Sequence, residues 1–326
     1  MFKDLIGIQA PRDIQVREES ALETLLKIED RVVQEYVEKV ASSWQEKHDN
    51  IYLPLHASLS SALPSYTEQD LQDLLLAKVN NDYNDKETIV LGIYTGVLLH
   101  VLTERGEQEE KPTVFTFDLN ENEFHYLFYF AKRAGEVTVR KVKGDYTCSF
   151  IGSYGGQVEK LVIAQNTGDY AANGAGSYGG TIGTLLITQN NGDHAAQWAG
   201  SDGGKIGTLL ITRNTGNDAA KWAGSDKGRI DTLLIDRNKG NNAAFLAGIG
   251  GGTIGTLLIN HNKGNDAAKL AGGNGGKIDT LAFYEAGRNA GEGVKANRIV
   301  TGEEALELYG RLMGKMKCLK TGCFPL

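Results

Sequence analysis

Six aspartates recur at fixed positions in the middle of the chain. Asp169, Asp193, Asp218 and Asp266 stand beside glycines, and Asp202 and Asp226 end Ser-Asp pairs. Glycan-cleaving β-helices use acids on one outer face, so a carboxylate cluster is the first chemistry to consider. Tight turns select the same residues, because a short carboxylate accepts from nearby backbone N–H groups. No pair stands out from its column, and no nucleophile–base constellation accompanies them. Arg213, Arg237, His194 and His261 decorate strand ends with mixed sign. His48, His56 and His100 share no metal-ligand spacing, and Cys318-x4-Cys323 has neither a second pair nor a redox Cys-x-x-Cys form. The Gly-Gly-x-Gly-x-Asp repeat of calcium-binding coils is absent, and the Gly-rich corners do not lead from strand to helix as a phosphate cradle does. The expectation is therefore no catalytic residue, no metal and no cofactor.

The aspartates ride on a repeat. Ile182, Ile206, Ile230, Ile254 and Ile278 are spaced by 24 residues, and Val158 extends the column backwards. Each unit contains Thr-Leu-Leu-Ile, β-branched or apolar and too short for a helix, which predicts a strand. Stacked in parallel at about 4.8 Å per coil, about seven coils make a solenoid roughly 30 Å long. Alternation puts Leu185 and Ile187 inside and sends Leu186, Leu210, Leu234 and Leu258 outwards as a continuous stripe. An exposed leucine stripe is unusual for a monomer, so it is the candidate interaction surface, to be covered by a partner or by the apolar face of the C-terminal helix. Asn166, Asn190, Asn214, Asn238 and Asn262 form a second column, expected to be a structural ladder of amides at the bend. The glycine column Gly168, Gly192, Gly216, Gly240 and Gly264 is expected to make the tight turn beside it. The Ala-Ala-x-Trp-Ala half is read as a second extended wall, because Thr147–Ile151 has extended character at the same columns. Trp198 and Trp222 should stack one coil apart.

The stretch Asn191–Ile206 resembles the Gly-rich right-handed β-helix at the C-terminal end of the glutamate synthase large subunit, a domain type that also forms a subunit of formylmethanofuran dehydrogenase. Gly192 and the Gly203–Ile206 run match that family's coil. Gln189 and Ala196 replace its flanking glycines, and the coil here is a few residues longer. The resemblance covers the array alone and implies a non-catalytic scaffold within a larger enzyme. Ile206-x-x-Leu209-x-Ile211-x-x-Asn214 is also similar to leucine-rich repeats, although Gly216 and Leu210 depart from their pattern.

Around the array, residues 1–111 read as a helical domain. Ser20 and Glu23 have capping-box spacing ahead of an amphipathic helix reaching about Trp44. Asp49–Pro64 reads as a break punctuated by Pro54 and Pro64, followed by helices from Thr67 and over Glu87–Glu104. Gly92 and Gly96 leave a flat stripe on the last of these, suited to close packing. Residues 112–136 are assigned to an atypical cap, 137–285 to the coils and 286–326 to a C-terminal helical cap. The fold class is thus α+β multidomain: a helical domain, a right-handed parallel β-helix and a closing helix. At 326 residues the chain has ample length for a core, and its net charge of −7 excludes a sequence-wide attraction to nucleic acid. The longest apolar run, Ile89–Leu102, is shorter than the ~20 residues a bilayer requires. With no signal-peptide layout and three cysteines, a cytoplasmic location is expected. The expected role is a non-catalytic scaffold or protein-interaction module whose partner is another protein, with neither nucleic acid nor membrane. An enzyme or glycan binder using the acidic face is the alternative.

Overall fold

The structure, a computed structural model, describes residues 20–40 and 49–318; Trp44, His48 and Cys323 fall outside them. Helix α1 (Ala21–Tyr36) starts at a capping box in which Ser20 and Glu23 each accept the other's backbone N–H. It buries Leu25, Ile28, Val32 and Tyr36 on one face, and a 3-10 turn at Val37–Lys39 ends it earlier than its apolar pattern predicts. The expected break at Asp49–Pro64 is instead helix α2 (Asp49–Ala62), with Pro54 inside it. Proline removes one N–H near the helix start, and burial of Ile51, Tyr52, Leu55 and Leu59 outweighs that loss. Capping boxes at Thr67/Asp70 and Asn84/Glu87 open α3 (Glu68–Lys78) and α4 (Asp85–Gln108). By length and composition α4 matches a membrane span, but 72% of its most apolar window is buried inside the protein.

Nine strands form one parallel sheet in chain order: β1 (Val114–Glu123), β2 (Arg133–Lys143), β3 (Gln157–Ala164), β4 (Thr181–Thr188), β5 (Lys205–Thr212), β6 (Arg229–Asp236), β7 (Thr253–Asn260), β8 (Lys277–Tyr284) and β9 (Ala296–Thr301). Register follows the repeat, with Leu185 opposite Leu209 and Leu209 opposite Leu233. The architecture is a helical N-terminal region, a parallel β-solenoid and a closing helix, α5 (Gly302–Cys318). Both ends extend beyond the clean repeats. The stretch assigned to a cap contains β1, which pairs in parallel with β2 and is itself a coil. Past Ala286, where the period breaks, a shortened turn leads to β9 alongside β8.

The first coil is sealed by the helices. Gly92 and Gly96 of α4 lie so close to it that an added Cβ would stand 2.4 Å from the Tyr126 carbonyl oxygen and 2.3 Å from that of Tyr129. Along the free edge of β1, the Glu68 carboxylate accepts from Thr116 N–H at 2.6 Å, and the Gln72 amide donates to Asp118 O at 3.0 Å. An open edge that would template further pairing is thereby occupied.

The second wall is neither strand nor helix. In the coil containing Trp198, the alternate residues His194, Ala196, Trp198, Gly200 and Asp202 all have left-handed backbone, and the same holds in neighbouring coils. Gln197, Ala199 and Ser201 N–H groups bond back three residues, making consecutive tight turns. N–H groups of the left-handed residues reach adjacent coils instead: Ala196 to Ala171 O at 2.8 Å and Trp198 to Lys221 O at 3.0 Å. Left-handed backbone at a non-glycine residue costs on the order of 1–2 kcal/mol, and main-chain bonds to both neighbours offset it. The glycine column is explained differently from its expectation. Its members lack left-handed φ, but a Cβ on Gly192 would stand 1.9 Å from Gly168 O of the preceding coil.

Candidate binding face on the turn wall

Three columns of the turn wall open to solvent, four residues apart, while Ala195, Ala196 and Ala199 between them are buried. The first runs Tyr146, Tyr170, His194, Asp218, Asn242 and Asp266. Its rings stack at 4.7 Å between Tyr146 and Tyr170 and 4.6 Å between Tyr170 and His194. The middle column runs Phe150, Gly174, Trp198, Trp222, Leu246 and Leu270, with the two indoles stacked at 4.5 Å. The third runs Tyr154, Tyr178, Asp202, Asp226, Gly250 and Asn274, starting with a tyrosine stack at 4.5 Å. Burial and the nearby Asp202 carboxylate both raise the Tyr178 pKa, so its ring is neutral.

The array's aspartates divide into two groups on this wall. Asp169 accepts the N–H of Asp193 at 2.7 Å, and Asp193 accepts that of Asn217 at 2.6 Å, so each braces the next coil. Asp218 is held by the Asn242 amide at 3.0 Å, with Lys221 at 3.2 Å and His194 at 3.5 Å. Asp266 pairs with Lys269 at 3.4 Å and accepts from the Asn289 amide at 3.1 Å. Asp202 and Asp226 differ: both are exposed, and each accepts from the hydroxyl of the serine before it, at 2.9 and 3.2 Å. The six carboxylates therefore do not converge on one reaction centre, and only the last two remain open to a ligand.

The leucine stripe lies elsewhere and is covered. Leu210, Leu234 and Leu258 are buried beneath α5, where Ala305, Leu308, Tyr309, Leu312 and Met313 pack against them. Leu186 stays half-buried at the end of the stripe. Tyr309 also reaches the buried Asp236 carboxylate at 3.3 Å, whose other oxygen accepts from the Asn260 amide at 2.6 Å. A partner surface on these leucines is thus already occupied by the chain's own helix. The asparagine column is interior. Asn190 donates to Gly192 O at 3.0 Å and to Asn214 Oδ1 at 2.9 Å, and the pattern runs from Asn166 to Asn262.

Two histidines read as unconnected come together at the junction of α2, α4 and the first coil. Lys132 N–H donates to the Tyr52 oxygen at 3.1 Å, leaving the Tyr52 hydroxyl hydrogen for His100 Nδ1 at 2.8 Å. His100 Nε2 then donates to Glu104 at 3.1 Å, and His56 Nε2 lies 3.3 Å from the same carboxylate. These groups are close enough to consider a metal ion. The imidazole rings, however, are stacked 4.2 Å apart and only 15° from parallel, so their Nε2 lone pairs do not converge. Burial, with His56, Arg133 and Lys132 nearby, lowers the His100 pKa to about 3. The arrangement is a hydrogen-bonded staple in which His100 is neutral. It escaped the sequence because its members come from two helices, and only the His100–Glu104 spacing of one helical turn hinted at it. A groove of about 810 Å³ lies at the start of α4, between Lys78–Ile89 and the first coils, and mixes both signs of charge.

Against protein-family models, curated protein sequences and solved structures alike, the chain finds no match.

Proposed function

We propose that the chain is a non-catalytic scaffold that binds another protein along its turn wall. The observation that carries this reading is the middle column from Trp198 to Leu270. It is an apolar stripe four coils long, half-exposed at the indoles and 42% exposed at Leu270. Tryptophans held rigidly on a surface are the side chains that most often anchor protein interfaces. The open carboxylates of Asp202 and Asp226 in the neighbouring column favour a partner with basic residues at the rim. A non-catalytic scaffold is also what the glycine-rich β-helix resemblance implies. Affinity purification of the full chain from native extract tests the proposal. The wild type should retain a stable partner that a Trp222→Asp, Leu270→Asp variant loses at unchanged thermal stability. If the wild type retains nothing above a bead control and degrades or binds polysaccharide instead, the reading fails. One feature favours a glycan binder as the second reading: an indole face and the Tyr178 ring stand beside two open carboxylates.

A further inference from the structure

The middle column is interrupted once. Trp198 lays one face on Trp222, and the coil on its other side offers Gly174, which has no side chain. Phe150, in the coil before that, leans over the glycine, its ring 2.5 Å from where a Cβ would stand. Phe150 thus takes the place of a Cβ at position 174, and the cleft that remains is lined by its ring and by the Trp198 indole. Tyr170 and His194 flank it on one side and Tyr178 on the other, enclosing a cleft of about 430 Å³.

Two carboxamide oxygens at this notch have no described hydrogen-bond donor. Gln197 is 8% exposed, and no donor among the described residues reaches its Oε1; the same holds for Oδ1 of Asn173, its neighbour one coil away. Asp202 and Asp226 supply carboxylates, and no described lysine or arginine lines the cleft. One coil further on, the column of Asn173 and Gln197 carries Lys221. Its ammonium lies 4.6 Å from the Trp222 ring centroid, 5.7 Å from that of Phe245 and 3.2 Å from Asp218. The wall thus sets a cation of its own against ring faces and a carboxylate. At Gly174 it presents the rings and the acceptors alone.

We propose that this notch receives an arginine side chain from the partner protein, an inference that rests on the turn wall being a protein-binding face. A guanidinium is planar, so it can lie flat on the face of Trp198 that Trp222 leaves free. Its charge and N–H donors suit the Asp202 and Asp226 carboxylates at the mouth of the cleft. An ammonium fits less well, because it is neither flat nor forked. A sugar ring has the donors but brings acceptors with them and lacks the charge that Asp202 and Asp226 favour.

The test is titration of the full ¹⁵N-labelled chain with N-acetyl-arginine amide, read at the Trp198 indole N–H resonance. N-acetyl-citrulline amide, the neutral isostere, is the control. The arginine compound should give a saturable shift and the citrulline compound a response at least tenfold weaker. An Asp202→Asn, Asp226→Asn variant should bind arginine amide several-fold more weakly at unchanged melting temperature. Trp198→Leu, which installs the residue that Leu246 and Leu270 already carry in the same left-handed conformation, should abolish the response, read at the neighbouring amides. An equal response to citrulline, a stronger response to maltose, or no saturable shift with arginine amide overturns the proposal. A captured protein partner held equally well by the double Asn variant also overturns the arginine notch, while leaving the scaffold intact. Saturable arginine binding by a chain that captures no protein supports the notch and removes the scaffold instead.

Discussion

The strand wall and the turn wall share one 24-residue period and use it in opposite ways. Along the strands, each position keeps one type of side chain from coil to coil. Leu185, Leu209, Leu233 and Leu257 fill the interior, and Leu210, Leu234 and Leu258 lie under α5. Both faces of that wall are shut over much of its length. On the turn wall only the buried alanines and the close-approach glycines repeat so strictly. The two flanking columns change from aromatic to acidic or amide within six coils, and the middle one from aromatic to aliphatic with a glycine between. Main-chain bonds between turns hold the wall whatever the outward side chains are, which leaves those columns free to differ. The difference teaches where to look for function: a repeat protein's binding residues lie where its period fixes the backbone and releases the side chain.

If that contrast is right, damage to the shut parts should cost far more stability than damage to the open columns. The largest effect is expected at the asparagine ladder, which joins the two walls. Asn214 is fully buried, donates to Gly216 O at 2.8 Å and Asn238 Oδ1 at 3.0 Å, and accepts from Asn190 at 2.9 Å. Asn214→Leu strands groups on three neighbours and should cost about 3 kcal/mol in urea unfolding. Asn262→Leu, at the end of the ladder with one fewer such bond, should cost about 2 kcal/mol. Equal costs would show that the amides act singly and not as a ladder.

Leu234→Glu comes next. It places a carboxylate at a fully buried position beneath α5, among Leu210, Leu258 and the apolar side chains of that helix. The cost should stop at the free energy of docking that helix, about 2 kcal/mol, because α5 can lift away and leave the coils intact. Limited proteolysis should then cut within residues 302–318 while the strands keep their hydrogen-exchange protection. Loss of protection in β5 to β7 as well would mean that α5 is part of the array's cooperative unit.

How much of this could be read beforehand depends on whether a feature is written as a residue type or as a gap. Period, strand register and the outward leucines were legible, because β-branched and aliphatic residues at fixed spacing report directly on a pleated wall. The glycine pair Gly92/Gly96 was legible as a close-packing stripe for the same reason. Helix α2 was hidden because one proline outvoted a buried face at Ile51, Tyr52, Leu55 and Leu59. Val114–Phe117 alternates as a strand does, but that it and Ala296–Thr301 belong to coils was hidden because both lack the Thr-Leu-Leu-Ile signature. Left-handed alanines and tryptophans give no signal, since neither residue type favours that conformation. The notch is invisible in principle to a search for reactive side chains, because it opens beside Gly174, which has none.

A third test uses pH. His100 is buried and held at about 3, against an ordinary value of 6.5, so between these values the unfolded chain takes up a proton that the folded chain refuses. The sign follows directly: this contribution is complete above pH 6.5 and is lost as pH falls through that window. Between pH 6.5 and 5 the loss should be about 1.5 kcal/mol. His100→Gln should be less stable at pH 7 but should lose less on going to pH 5. An identical pH slope in the two proteins would place the acid sensitivity elsewhere.

The smallest effect should come from the residue that matters most to binding. Trp198→Leu gives up one stacked ring pair with Trp222 at 4.5 Å, a loss of about 1 kcal/mol or less. It asks nothing new of the backbone, since Leu246 and Leu270 hold leucine at φ of 56° and 58° in the same column. Thermal and urea unfolding should therefore change little while partner capture falls sharply. A stability loss larger than that of Leu234→Glu would invert the comparison of the two walls, because Trp198 would then be supporting the coil and not merely displayed on it. A small stability change with full partner retention would keep the structural contrast and move the binding site off this column, toward the exposed end of the stripe at Leu270.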